Sequence, residues 1–160
     1  MTEDGNVSAT TPTTVFLEPK PIEKIFNRVF GYLVGLGIGP AYMYLLQVRG
    51  RKSGRLYETP VNMLDVDGKR YLVAPRGRTQ WVRNAEATGE ITLKKGRSSQ
   101  SFRLRPIPDA EKPELLKLYL ERYVAAVQRY FTVKAGSPPE AFRNVAPNYP
   151  VFELLLVDKP

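Results

Sequence analysis

A chain of 160 residues with net charge +8 and ordinary apolar and charged fractions reads as one globular domain with acidic partners. It holds no cysteine and no histidine, which removes disulfides, thiolate nucleophiles, imidazole bases and the usual zinc, haem and iron–sulfur ligand sets. No metal site is expected, and chemistry is left to Tyr, Lys, Arg, Ser, Thr and carboxylates, or to a bound cofactor.

Residues 1–19, rich in Thr, Ser and Pro, read as a disordered tail, and residues 20–160 as the domain. No basic start followed by an apolar run opens the chain, so no secretory signal is read and a cytoplasmic protein is expected. Asn6-Val7-Ser8 reads as a chance glycosylation triplet. Ile22, Ile25, Phe26, Val29, Phe30 and Leu33 then recur at helical spacing opposite Glu23, Lys24, Asn27 and Arg28. This amphipathic helix either packs on the core or lies on a membrane surface, such as the inner face of the plasma membrane. The uncharged run from Val29 to Val48 is long enough to span a bilayer. Gly31, Gly35, Gly37, Gly39 and Pro40 break it, so it is not read as a span.

"AYMYLLQV" predicts a first strand, followed by the basic turn "RGRKSGR". "LYETPVNMLDV" predicts a second strand that returns through the hairpin pair Asp67-Gly68 into "KRYLVA". The loop "PRGRTQ" leads into a short helix, "WVRNAEATG", closed by Gly89. "EITLKK" and "SFRLRPI" form a second hairpin linked by "GRSSQ". Asp109 is read as the cap of a long helix with Pro113 in its first turn. Its stripe of Leu115, Leu118, Tyr119, Tyr123, Ala126, Val127 and Tyr130 suits either core packing or a substrate wall. "SPPEAFRNV" suggests a short helical turn and "VFELLLV" a last apolar strand. Six strands without βαβ alternation predict a mainly β protein with flanking helices, an α+β antiparallel barrel.

The turn after the first strand carries Arg49, Arg51, Lys52 and Arg55 around Gly50 and Gly54. Only three residues separate those glycines, so this is not a P-loop. The physics of anion binding still applies, because glycines admit an anion to backbone N–H groups and arginine contacts it through two donors. A solvated hairpin tip and a nucleic-acid patch are the other readings of the turn alone. Arg76, Arg78 and Arg83 recur around Trp81, the chain's one tryptophan. In a small barrel both loops can flank one groove, with cations at one end and Trp81 as an aromatic wall. A planar ligand with an anionic tail suits such a groove.

"GRKSGR", "ETPV", "DGKRYLVAPRG" and "QWVRNAEATGEITL", in that order and spacing from about Leu45 to Leu93, resemble the deazaflavin-dependent nitroreductases. These proteins use coenzyme F-420 on a split, FMN-binding-like β-barrel. The resemblance implies that Arg51, Lys52 and Ser53 grip the coenzyme's phosphate and oligoglutamate tail. It implies that Tyr57, Glu58, Thr59, Pro60, Val61 and Asn62 lie along the deazaflavin ring, with Ala74, Pro75, Arg76 and Gly77 beside it. Gln80, Trp81, Val82, Arg83 and Asn84 match the helix start that closes over ring and phosphate. In nitroreducing members a serine near the reacting substrate falls where Arg76 stands here, so this departure leaves nitroreduction open.

The implied reaction is hydride transfer from reduced deazaflavin to a small electrophilic acceptor, a quinone, enone or nitro compound. The missing His and Cys then find an explanation, since the cofactor carries the hard chemistry. Arg76 and Tyr130 are the expected catalytic side chains. The rivals are FMN on the same barrel, a coenzyme carrier without turnover, and a nucleic-acid module, although no nucleic-acid partner is expected. Oligomeric state is left open, with a dimer among the options.

Overall fold

The computed structural model describes residues 39–158, together with residues 33, 36 and 37. The tail and the amphipathic stretch from Ile22 lie outside the described residues, Leu33 apart. Six antiparallel strands close into a barrel: β1 (Met43–Arg49), β2 (Leu56–Val66), β3 (Lys69–Val73), β4 (Glu90–Lys95), β5 (Ser98–Pro106) and β6 (Val151–Leu156). Their order around the barrel is β1-β2-β3-β6-β5-β4, with β1 closing onto β4. Helix α1 (Gln80–Thr88) follows β3, and α2 (Lys112–Arg122) and α3 (Val124–Val127) follow β5.

Side chains alternate across the barrel wall, as a period of two requires. Leu46, Val48, Met63, Leu72, Ile91, Leu93, Phe102 and Leu154 fill the interior. Their neighbours Leu64, Tyr71, Val73 and Val151 belong to a second core with Leu116, Tyr119, Leu120, Phe131 and Phe142 of the helical flank. Each fully buried side chain of this size contributes about 1.5–3 kcal/mol. One sheet therefore serves two apolar layers.

The β2–β3 turn has both Asp67 (φ 50°) and Gly68 (φ 77°) in the left-handed region. That is the two-residue geometry which matches strand twist. The β4–β5 hairpin is tighter than the sequence suggested. Lys95 pairs with Ser98, so Ser98–Gln100 belong to β5 and only Gly96 and Arg97 turn. Polar alternation hid that strand start.

The long helix also differs from expectation. Asp109 opens a 3-10 turn and pairs with the buried Lys112 Nζ at 2.6 Å, while α2 proper starts at Lys112. It stops at Tyr123 (φ −118°, ψ 30°), whose hydroxyl donates to the Met63 carbonyl of β2. Leu116 and Leu120, absent from the expected stripe, are its fully buried residues, whereas Leu118 is exposed. No helix among the described residues is long and apolar enough to cross a membrane.

Candidate functional site

The site is built where the β1–β2 turn meets the start of α1. Gly50 N–H donates to the Arg55 carbonyl at 2.7 Å, and Gly54 N–H to the Gly50 carbonyl at 2.9 Å. Gly54 needs its φ of 71°, and Arg49 Nη1 ties down its carbonyl at 3.1 Å. A Cβ at Gly50 would stand 2.7 Å from the exposed Tyr57 ring, which would have to swing aside. Of the four cations in the turn, Arg49 is thus a staple of the loop.

Arg51 is fixed from two sides. Asn84 Oδ1 accepts its backbone N–H at 3.1 Å and its Nη1 at 2.8 Å, and Gln80 Oε1 accepts Nη1 at 3.0 Å. Gln80 and Asn84 lie four residues apart and so share a helix face. Asn84 is only 4% exposed, which makes its amide a rigid anchor. Lys52 and Ser53 remain exposed, and Ser53 Oγ accepts from Arg55 N–H at 3.2 Å, keeping its own proton available.

An open groove of about 580 Å³ runs beside this anchor, lined by Arg51, Arg78, Arg83, Glu86 and Ala87. The turn after β1 and the loop after β3 do flank one groove. Arg78 is ion-paired with Glu86 across it. Arg78 was expected among the groove's cations but Glu86 was not, because a pair eight residues apart crosses the helix start and fits no helical spacing.

Trp81 does not form a wall of this groove. It is half-buried, its ring edge-on to Phe152 at 6.2 Å, among the interior apolar residues. The helix explains this: residues 81, 82 and 85 point to the barrel, while 80, 83, 84 and 87 point to the turn. Val82 is wholly buried and Ala74 is 1% exposed, so neither presents a side chain to the groove. The Ala74 N–H is already given to the Pro150 carbonyl at 2.9 Å.

Two observations suit an anion at the start of α1. The first-turn N–H groups of a helix have no partner within it, and the helix dipole favours negative charge there. Thr79, the N-cap, makes no capping bond through its side chain, and its buried Oγ1 has no hydrogen-bond partner among the described residues. With three guanidiniums in the groove, this donor set fits a ligand carrying several negative charges.

Arg76 stands four residues before Gln80, within about 14 Å by chain reach alone. Its guanidinium lies 5.8 Å from the centre of the Tyr130 ring, and that of Arg129 lies 4.7 Å from the same ring. The two expected catalytic side chains are thus neighbours, although 54 positions separate them in the sequence. Gly77 keeps the loop tight with a φ of 80°, while Pro75 is half-buried.

Along β2, Tyr57 and Glu58 are exposed and Thr59, Pro60, Val61 and Asn62 half-buried. Glu58 accepts from Gln47 Nε2 at 2.7 Å. Val61 turns into the barrel with Trp81 and Tyr44. Asn62 hydrogen-bonds the Tyr119 hydroxyl, which burial pushes well above the ordinary phenol range. Tyr119 and Tyr123 are 2% and 5% exposed. Of the expected tyrosine stripe, only Tyr130 is half-exposed beside Arg76.

The chain is similar in fold to a protein of unknown function from Agrobacterium tumefaciens, at 21% identity and a TM-score of 0.54. The match covers 88% of this chain, which spans 57% of that protein's length. It is also similar to the heme storage protein HutZ of Vibrio cholerae, at 9% identity and TM-score 0.51 over 74% of this chain and 83% of that one. A solved F420-H2 dependent reductase, FDR-A, aligns at 21% identity and TM-score 0.48, covering 71% of this chain and 94% of its own. The first two likenesses are of the split-barrel fold. No curated protein matches the chain at a significant level. The family model of the F420H(2)-dependent quinone reductase matches residues 23–135. With more than half of its length inside that match, the protein belongs to the F420H(2)-dependent quinone reductase family, reductases whose cofactor is reduced coenzyme F-420.

Proposed function

We propose that the protein holds the coenzyme's phosphate and oligoglutamate tail in the Arg51–Arg78–Arg83 groove and reduces a quinone or a similar small electrophile. The observation that carries this reading is the fixing of Arg51 by Asn84 and Gln80 at the start of α1. A rigid, pre-placed guanidinium loses little freedom on binding and gives charge-assisted bonds of about 1.5–3 kcal/mol. Lys52, Ser53 and Arg83 extend the anionic contact along the same side. Thr79 Oγ and the first N–H groups of α1 receive the phosphate.

The stretch of β2 from Tyr57 and Glu58, which are exposed, to the half-buried Pro60, with Asn62 and Pro75, provides the bed for the ring. When bound, the coenzyme supplies a hydride to the acceptor. Arg76 and Tyr130 stand next to that bed. The Arg76 guanidinium holds the acceptor's oxygen and favours the negative charge that forms on it. The Tyr130 hydroxyl, or a water held by Arg76, donates the proton. Positioning both reactants in one cleft removes several kcal/mol of the barrier.

Steady-state oxidation of the reduced coenzyme by menadione and by benzoquinone tests this reading. Turnover with a quinone, and its loss of about tenfold or more in Arg76→Gln, is the expected result. Binding of the coenzyme without turnover on any quinone or enone would instead make the protein a carrier.

A further inference from the structure

Glu86 is out of place in a groove built for anions. It is the one carboxylate beside Arg51, Arg78 and Arg83, and it engages Arg78. Its position in the last turn of α1 sets it against the helix dipole, which disfavours negative charge there. Nor is its partner the usual neighbour three or four residues away. Arg78 precedes the helix, and its side chain must lie along α1 to reach Glu86. From Gln80 to Glu86 the helix rises about 9 Å. The ion pair thus draws one guanidinium away from the helix N-terminus, where an anion gains most from it. Both side chains remain partly exposed, at 59% and 33%, so the pair exchanges easily with solvent ions.

We propose that Glu86 is a built-in competitor for the coenzyme's tail. It occupies Arg78 until a carboxylate or phosphate of the tail takes the guanidinium over. The freed Arg78 then closes on the tail from the side opposite Arg51, and Glu86 turns to water. Ligands with one weak anionic group do not displace Glu86, because they gain Arg78 alone. Ligands with several gain Arg51 and Arg83 as well. Glu86 is therefore a specificity-determining residue for tail-bearing coenzyme, and this inference rests on the reading of the groove given above.

The test is Glu86→Gln, with the full chain and fluorescence titration of coenzyme F-420 and of its core lacking phosphate and tail. The variant is expected to bind the full coenzyme about three- to fivefold more tightly, the size of one exposed ion pair released. Affinity for the core is expected to be unchanged. Inorganic phosphate is expected to leave the wild-type melting temperature unmoved and to raise that of Glu86→Gln. Adding Arg78→Gln to Glu86→Gln is expected to abolish the gain. Equal affinities of wild type and Glu86→Gln for the full coenzyme would overturn the role of Glu86 and leave the groove reading intact. An equal gain for the tail-less core would overturn it too, by showing an effect on the ring. No binding of the full coenzyme to wild type in low salt would overturn the groove reading itself, and the role of Glu86 with it.

Discussion

Replacing Asn84 by alanine tests how the basic turn is held. Asn84 Oδ1 accepts one neutral bond at 3.1 Å and one charge-assisted bond at 2.8 Å, both from Arg51. Such bonds are worth about 1 and about 1.5–3 kcal/mol respectively. Gln80 still holds the guanidinium, and the exposed Arg51 side chain regains water. The net loss is therefore about 2 kcal/mol, which lowers the melting temperature of a domain of this size by about 4–8 °C. The freed turn no longer presents Arg51 in one place, so coenzyme affinity falls about tenfold, equivalent to about 1.4 kcal/mol. Asn84→Asp keeps the acceptor and the melting temperature but neutralises Arg51, so it weakens the tail alone. Thermal unfolding and titration with full coenzyme are the two assays. If Asn84→Ala melts like wild type and binds the coenzyme with about the same affinity, Arg51 is not placed by this contact.

Two further predictions concern the frame around the site. The Tyr119 phenol is held neutral by burial and titrates above its ordinary value of 10.0. Because the folded pKa is raised, its contribution to stability is complete below about pH 10 and declines above it, as the unfolded chain ionises first. Alkaline unfolding monitored by fluorescence is expected to show that decline, and Tyr119→Phe to flatten it while costing about 1 kcal/mol at neutral pH for the lost Asn62 bond. An unchanged alkaline slope in Tyr119→Phe would refute the assignment. Gly77→Ala places a Cβ at a φ of 80°, which costs about 1–2 kcal/mol. It is also expected to reduce turnover through Arg76; full stability and full turnover together would contradict the tight loop.

Much of this architecture was written locally in the sequence. The β2 bounds and the Asp67-Gly68 turn follow from alternation and turn chemistry. Gly89, at a φ of 74°, ends α1 where a C-cap glycine should. The ordered motifs identified the cofactor class. What escaped were features set by distant packing. Tyr123 breaks a helix whose periodicity ran on, because its hydroxyl is committed to a strand carbonyl sixty positions earlier. Trp81 looked like a ligand wall by its neighbours in sequence, yet the helical rotation turns it into the barrel. The anchoring of Arg51 on Asn84, and the capture of Arg78 by Glu86, join residues whose spacing carries no periodic signal.

The measurement that bears most directly on the groove is the binding of full coenzyme and of its tail-less core to wild type and to Arg51→Ala/Lys52→Ala. The double variant is expected to lose about tenfold or more in affinity for the full coenzyme, while the core changes by less than about twofold. Equal losses for both ligands would contradict it, because the turn would then be supporting the ring and not holding the tail.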